Sequence, residues 1–151
     1  MQKITPFLWY DGNIAEVMEF YRSVFPGGKV VDTMPGPGGS LMGATFELDG
    51  QRFMAFNGGP HYKLTPAVSM YVSCETQAEV DALWAKLTDG GAESECGWLV
   101  DRFGLSWQII PSILPRLLSD PDREKADRAM KAMFGMKKID IAALERAANG
   151  R

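Results

Sequence analysis

Two stretches of the chain place apolar residues at i, i+3, i+4 and i+7. The first is Val17, Phe20, Tyr21 and Val24; the second is Val80, Leu83, Trp84 and Leu87. That spacing puts four side chains on one helical face. Asn13 and Thr76 precede the stripes as N-caps, each with a Glu three residues on, and Gly27-Gly28 and Gly90-Gly91 stop them. An ungapped shift of 63 residues carries the first pattern onto the second, Glu16 onto Glu79 and Tyr21 onto Trp84 among others. Two copies are too few for a solenoid, so the shift predicts two related half-domains sharing one core. A cleft between such halves is a natural place for a small ligand.

Around each helix the pattern turns to strands. Ile4 to Tyr10 is an aromatic, strand-like run, and Asp11-Gly12 turns it into the first helix. Lys29 to Met34 follows, then the loop Pro35 to Ser40, then Leu41–Leu48 and Gln51–Phe56 around the hairpin dipeptide Asp49-Gly50. The second unit repeats the plan with Ala67 to Cys74, two short strands within Glu93 to Val100 broken at Gly97, and Leu105 to Ile110. From Pro111 the pattern becomes helical. Asp120-Pro121 predicts a helix start with an apolar stripe through Ala126, Ala129, Met130, Met133 and Phe134, and Asp140 caps a last helix to Ala148. The predicted fold is α+β: two βαβββ modules, about 3–60 and about 64–111, with a helical extension over about 112–151, all in one domain.

Composition narrows the function classes. The chain has 151 residues, 46% hydrophobic and 23% charged, enough for one ordinary core. A net charge of −3 leaves no basic footprint for nucleic acid. No apolar run approaches the ~20 residues of a membrane helix, and Met1-Gln2-Lys3 leads into a strand-like segment, not a signal sequence. Cys74 and Cys96 are too few for a disulfide framework and lack metal-site spacing, which predicts reduced thiols in a cytoplasmic protein.

Two βαβββ units resemble the glyoxalase, bleomycin-resistance and dihydroxybiphenyl dioxygenase superfamily, also called vicinal oxygen chelate. Pro6 to Gly12, Phe53 to His61 and Cys96 to Gln108 resemble its PhnB-like branch, often labelled demethylubiquinone methyltransferase-like. The resemblance implies a paired-module fold and a homodimer, and the stripe through Met130, Met133 and Phe134 is the expected subunit contact. Metal enzymes of the superfamily carry His, Gln or Glu on the first strand of each unit and Glu on the last. The matching places here are Pro6, Ser69 and Gln108, and hard divalent ions prefer carboxylate or imidazole ligands, so no metal and no other cofactor is expected. A methyl donor is usually cradled by a glycine-rich turn between strand and helix. The only rich glycine loop here, Pro35 to Ser40, lies between strands.

Strand alternation predicts the cleft lining. With Phe7 and Trp9 under the first helix, Leu8 and Tyr10 face the cleft, and the shift of 63 adds Ser69, Tyr71 and Ser73. Ser106, Gln108 and Ile110 complete the row; Asn57 and Trp98, from the quoted motifs, are further ligand-binding candidates. Such a lining suits a neutral or aromatic small molecule. His61 and Cys96 are the candidates for catalysis, as a loop base and a thiol nucleophile. The expected function is small-molecule binding, or metal-independent catalysis, by a PhnB-like protein. The alternatives are a metal-dependent lyase, dioxygenase or transferase, and a non-catalytic sequestering protein.

Overall fold

The structure, a computed structural model, describes residues 2–151. The chain divides into two compact units, one ending at Leu64 and the other beginning at Thr65. In the first, β1 (Phe7–Tyr10), α1 (Ile14–Val24), β2 (Lys29–Pro35), β3 (Leu41–Leu48) and β4 (Gln51–Asn57) form a sheet of order β1-β4-β3-β2 with one helix. In the second, β5 (Ser69–Cys74), α2 (Gln77–Thr88), β6 (Ala92–Glu93), β7 (Trp98–Val100) and β8 (Ser106–Pro111) form the same order, β5-β8-β7-β6. The predicted α+β class and the two βαβββ modules are therefore present. In both units the first strand pairs parallel with the last and the other pairs are antiparallel. The hairpin at Asp49-Gly50 turns with φ of 48° and 79°, the positive values its two-residue type needs.

The helix stripes bury as their spacing requires. Val17, Tyr21 and Val24 of α1, and Val80, Trp84 and Leu87 of α2, are buried. The capping differs between the copies. Thr76 Oγ1 accepts from the Glu79 N–H at 3.2 Å. The Asn13 side chain instead donates to the Glu16 carboxylate, and the Ile14 N–H is taken by Asn57 Oδ1 at 3.1 Å, from the end of β4.

The two turns also differ by one residue, and this corrects the strand parity. Asp11, Gly12 and Asn13 separate β1 from α1, whereas only Glu75 and Thr76 separate β5 from α2. The helices are related by 63 positions, but the strands before them by 64, which pairs Tyr10 with Cys74 and Phe7 with Tyr71. A one-residue slip sends every side chain of a strand to the opposite face. Leu8 and Tyr10 are accordingly 5% and 4% exposed and lie under α1, with the Tyr10 hydroxyl 3.0 Å from that of Tyr21. Phe7, expected beneath the helix, is 56% exposed on the other face.

After β8 come α3 (Ile113–Leu118), α4 (Arg123–Phe134) and α5 (Ile141–Ala148). The first of these lies within the predicted helical extension, ahead of its two capped helices; Pro115 fits because it lies in the first turn, where no intrahelical N–H is lost. The N-cap of α4 is Asp122, whose side chain accepts from the Lys125 N–H, and not Asp120; Asp120 accepts from the Asp122 N–H in the turn before it. Leu114, Leu117, Ala129, Ile139, Leu144 and Ala148 build one core with Ile110 of β8. Among the described residues no helix is long and apolar enough to cross a membrane.

Candidate functional site

Each sheet has one face under its helix, and the opposite face, called open here, holds most of the candidate site residues. In the first unit Phe7, Met54, Phe56 and Thr45 share the open face by register. With Met34 they line an apolar groove of about 340 Å³ that has Asp32 among its residues. Beside it Trp9 donates from Nε1 to the Gly59 carbonyl at 2.9 Å and meets Phe56 and Tyr62 edge-on, with centroids 5.1 and 5.0 Å away. Gly58 makes this possible: a Cβ there would lie 2.1 Å from the Trp9 ring.

In the second unit the predicted parity holds. Ser69 stands opposite Ser106, Tyr71 opposite Gln108 and Ser73 opposite Ile110, all on the open face. Trp98 of β7 stands on the other side of Gln108. Tyr71, Trp98, Gln108 and Ile110, with Cys96, form part of a pocket of about 260 Å³. Leu114, Pro115, Leu118 and Met133 of the extension complete it. Gln108 Nε2 donates to Ser69 Oγ at 3.0 Å, which fixes the amide, and among the described residues no donor meets its oxygen. Ser106 continues this polar row; its hydroxyl is the one buried side-chain polar atom without a partner among the described residues. No carboxylate, ammonium or guanidinium lines the pocket. Burial pushes the Tyr71 phenol up, though the side chain is half exposed. Burial, followed by the Glu95 charge, pushes the Cys96 thiol up as well. Both groups are thereby kept neutral, and a thiol so held is a poor nucleophile.

The sequence-predicted residues thus separate. Ser69, Tyr71, Trp98, Ser106 and Gln108 lie together on one open face. Leu8 and Tyr10 are corrected to the helix-covered core. Asn57 is a structural clamp: besides capping α1, its Nδ2 donates to the Leu41 carbonyl at 2.5 Å. His61 is exposed in the segment after β4. The wall from the extension was missed. Its signal is present in Leu114, Leu117 and Leu118 at helical spacing, and in Met133 of the α4 stripe, which lines the pocket.

The site chemistry does not fit a divalent ion. Among the described residues no three His, Cys, Asp or Glu side chains are placed to hold a metal ion, and the open face of the second sheet offers hydroxyls and one amide. With the strands related by 64 positions, the counterpart of Ser69 is Thr5 and not Pro6; neither residue is a strong metal ligand. A methyl donor at a strand-to-helix turn fits no better. The first N–H of α1 is occupied by Asn57, the cap of α2 is taken by Thr76, and the glycine-rich loop lies between β2 and β3.

Comparison with known proteins fixes the kinship. A family described as 3-demethylubiquinone-9 3-methyltransferase matches residues 2–110. The chain belongs to this family. It is the PhnB-like branch of the vicinal oxygen chelate superfamily. Among solved structures, the PhnB protein from Bacillus cereus is 36% identical, with 74% of this chain aligned to 100% of that one and a TM-score of 0.69. The protein PA1353 from Pseudomonas aeruginosa shares the fold at 22% identity and a TM-score of 0.62, over 74% of this chain and 98% of that one. The fosfomycin resistance protein FosX from Listeria monocytogenes, complexed with Mn(II) and sulfate, shares it at 13% identity and a TM-score of 0.54, over 71% and 90%. Comparison with curated proteins gives no match. The family's match stops at residue 110, so all of α3, α4 and α5 lies beyond it.

Proposed function

We propose that this protein binds an uncharged, largely apolar small molecule in the pocket of its second unit, with neither a metal nor a methyl donor taking part. The observation that carries the reading is Gln108, an oriented amide with a vacant oxygen on an otherwise apolar floor. A small number of placed polar groups in an apolar lining is how small-molecule sites fix orientation. Capture of this kind needs no titrating group, which agrees with the raised Cys96 thiol and with the position of His61 outside the pocket. The reading includes a cytoplasmic homodimer, supported by the two unpaired thiols and by the exposed apolar row of the first unit.

The test is a thermal-shift screen of uncharged aromatic and alicyclic compounds, since a ligand of the native state raises the melting temperature. Gln108→Leu should melt near wild type without compound, yet bind hits several-fold to about a hundredfold more weakly, the equivalent of a hydrogen bond of about 0.5–3 kcal/mol. A screen without hits, or hits that bind Gln108→Leu at full strength, would sink the reading.

A further inference from the structure

The pocket has two kinds of wall. One is the sheet of the family's shared unit, with Trp98 and Gln108. The other is the extension, where Leu114, Pro115 and Leu118 of α3 and Met133 of α4 supply four of the nine lining residues. This second wall is fixed in place by backbone. The Cys96 N–H donates to the Met136 carbonyl at 2.9 Å and the Gly97 N–H to that of Lys137 at 2.7 Å. Cys96 and Gly97 both take positive φ, 58° and 86°, and this turns their N–H groups toward the segment after α4. A Cβ at Gly97 would stand 2.7 Å from Ile110 Cδ1 and 3.1 Å from Ile139 Cγ1, so the close approach itself depends on glycine. Ile110 belongs both to the pocket and to the extension's core.

We propose that the helical extension is the selectivity element of this pocket, with Met133 and Leu118 setting the size of the ligand's apolar body while Gln108 holds its single polar group. The ligand class is an uncharged aromatic or alicyclic molecule with one hydroxyl-type group. This rests on the pocket being the binding site, as proposed above. The division of labour follows from the lining: every side chain contributed by the extension is a hydrocarbon or thioether, and the Gln108–Ser69 pair stands on the sheet side. A thioether on an unbranched side chain adapts to the body it meets, so changing Met133 alters size preference without touching the polar end.

Calorimetric titrations with 2-naphthol, phenol, 2-methylnaphthalene and 2-naphthoate test this on the full chain. Wild type should prefer 2-naphthol to the methyl analogue, and to the anion, by tenfold or more. Met133→Trp should lose at least tenfold for 2-naphthol and less for phenol. Met133→Ala should narrow the gap between the two, and serves if the tryptophan variant does not fold. Phe134→Ala, the exposed neighbour on α4, should leave all affinities unchanged. If Gln108→Leu weakens 2-naphthol but both Met133 variants keep the wild-type preferences, the extension is not the selectivity element and the binding site stands. If 2-naphthol does not bind wild type, or Gln108→Leu is as indifferent as the Met133 variants, the site assignment falls and this inference falls with it.

Discussion

Corresponding positions in the two units have diverged in chemistry. Tyr71 and Gln108 stand where Phe7 and Met54 stand in the first unit, so the second sheet alone carries an amide at that place. Tyr10 and Cys74 are likewise equivalents, each buried under its helix, one as a phenol near Tyr21 and the other as a thiol. Burial, then the charges of Glu79 and Glu75, raises the Cys74 thiol from 9.0 to about 11. The folded state therefore keeps this proton to higher pH than the unfolded chain does. The resulting stability is complete below about pH 9 and is lost as pH rises through about 11. Denaturant melts of wild type should weaken over that window more steeply than those of Cys74→Ala. Parallel curves would contradict the assignment.

At the scale of elements, the extension is tied to the second unit by a side chain as well as by backbone. Gln77, at the start of α2, donates from Nε2 to the Ile139 carbonyl at 3.0 Å and accepts from the Ile141 N–H at 2.8 Å. Nearby, Lys138 pairs with Asp81 at 2.9 Å, but both side chains are over 40% exposed, and such pairs contribute about 0–1 kcal/mol. Gln77 is the stronger tie because both ends of its amide are used. Gln77→Leu should cost about 1.5–4.5 kcal/mol, because it removes these two bonds and a third that Nε2 donates to Asp81 Oδ1 at 2.9 Å. Hydrogen exchange should quicken in α5 and leave β3 and β4 as in wild type. Equal protection of α5 in the two proteins would show that the apolar core alone holds the extension.

For the whole molecule the open question is what covers its exposed apolar surface. The edge strand β2 is exposed along its full length, with Val30, Val31 and Met34 outward, and Phe7 is exposed nearby in the same sheet. Unpaired edges with apolar side chains invite pairing. The sequence placed the subunit contact on the stripe of α4, but Ala126 and Ala129 of that stripe are buried within the extension and Met133 lines the pocket, leaving Phe134 outward. A homodimer that uses the first unit's edge and open face is the expected outcome. Light scattering at micromolar concentration should return about twice 16.7 kDa, and Val31→Asp with Met34→Asp should lower it. A wild-type mass near 16.7 kDa would overturn the dimer.

The sequence by itself determined the two modules, because caps, apolar stripes, Gly-Gly stops and the Asp49-Gly50 hairpin are local signals that each act within about a dozen residues. It also determined the parity of β8, where Ser106, Gln108 and Ile110 stand in register with Ser69, Tyr71 and Ser73 on one face of the sheet. Only the tertiary structure decided the facing of β1. The extra residue between Tyr10 and Ile14 is invisible to a shift that fits the helices, yet it turns Leu8 and Tyr10 inward. Tertiary structure likewise turned Asn57 from a ligand candidate into a helix cap and brought Met133 into the same pocket as Gln108, 25 positions away. Alternation and helical period say which residues share a face of one element, but not which distant element covers it. That is settled by packing between surfaces that no local pattern encodes.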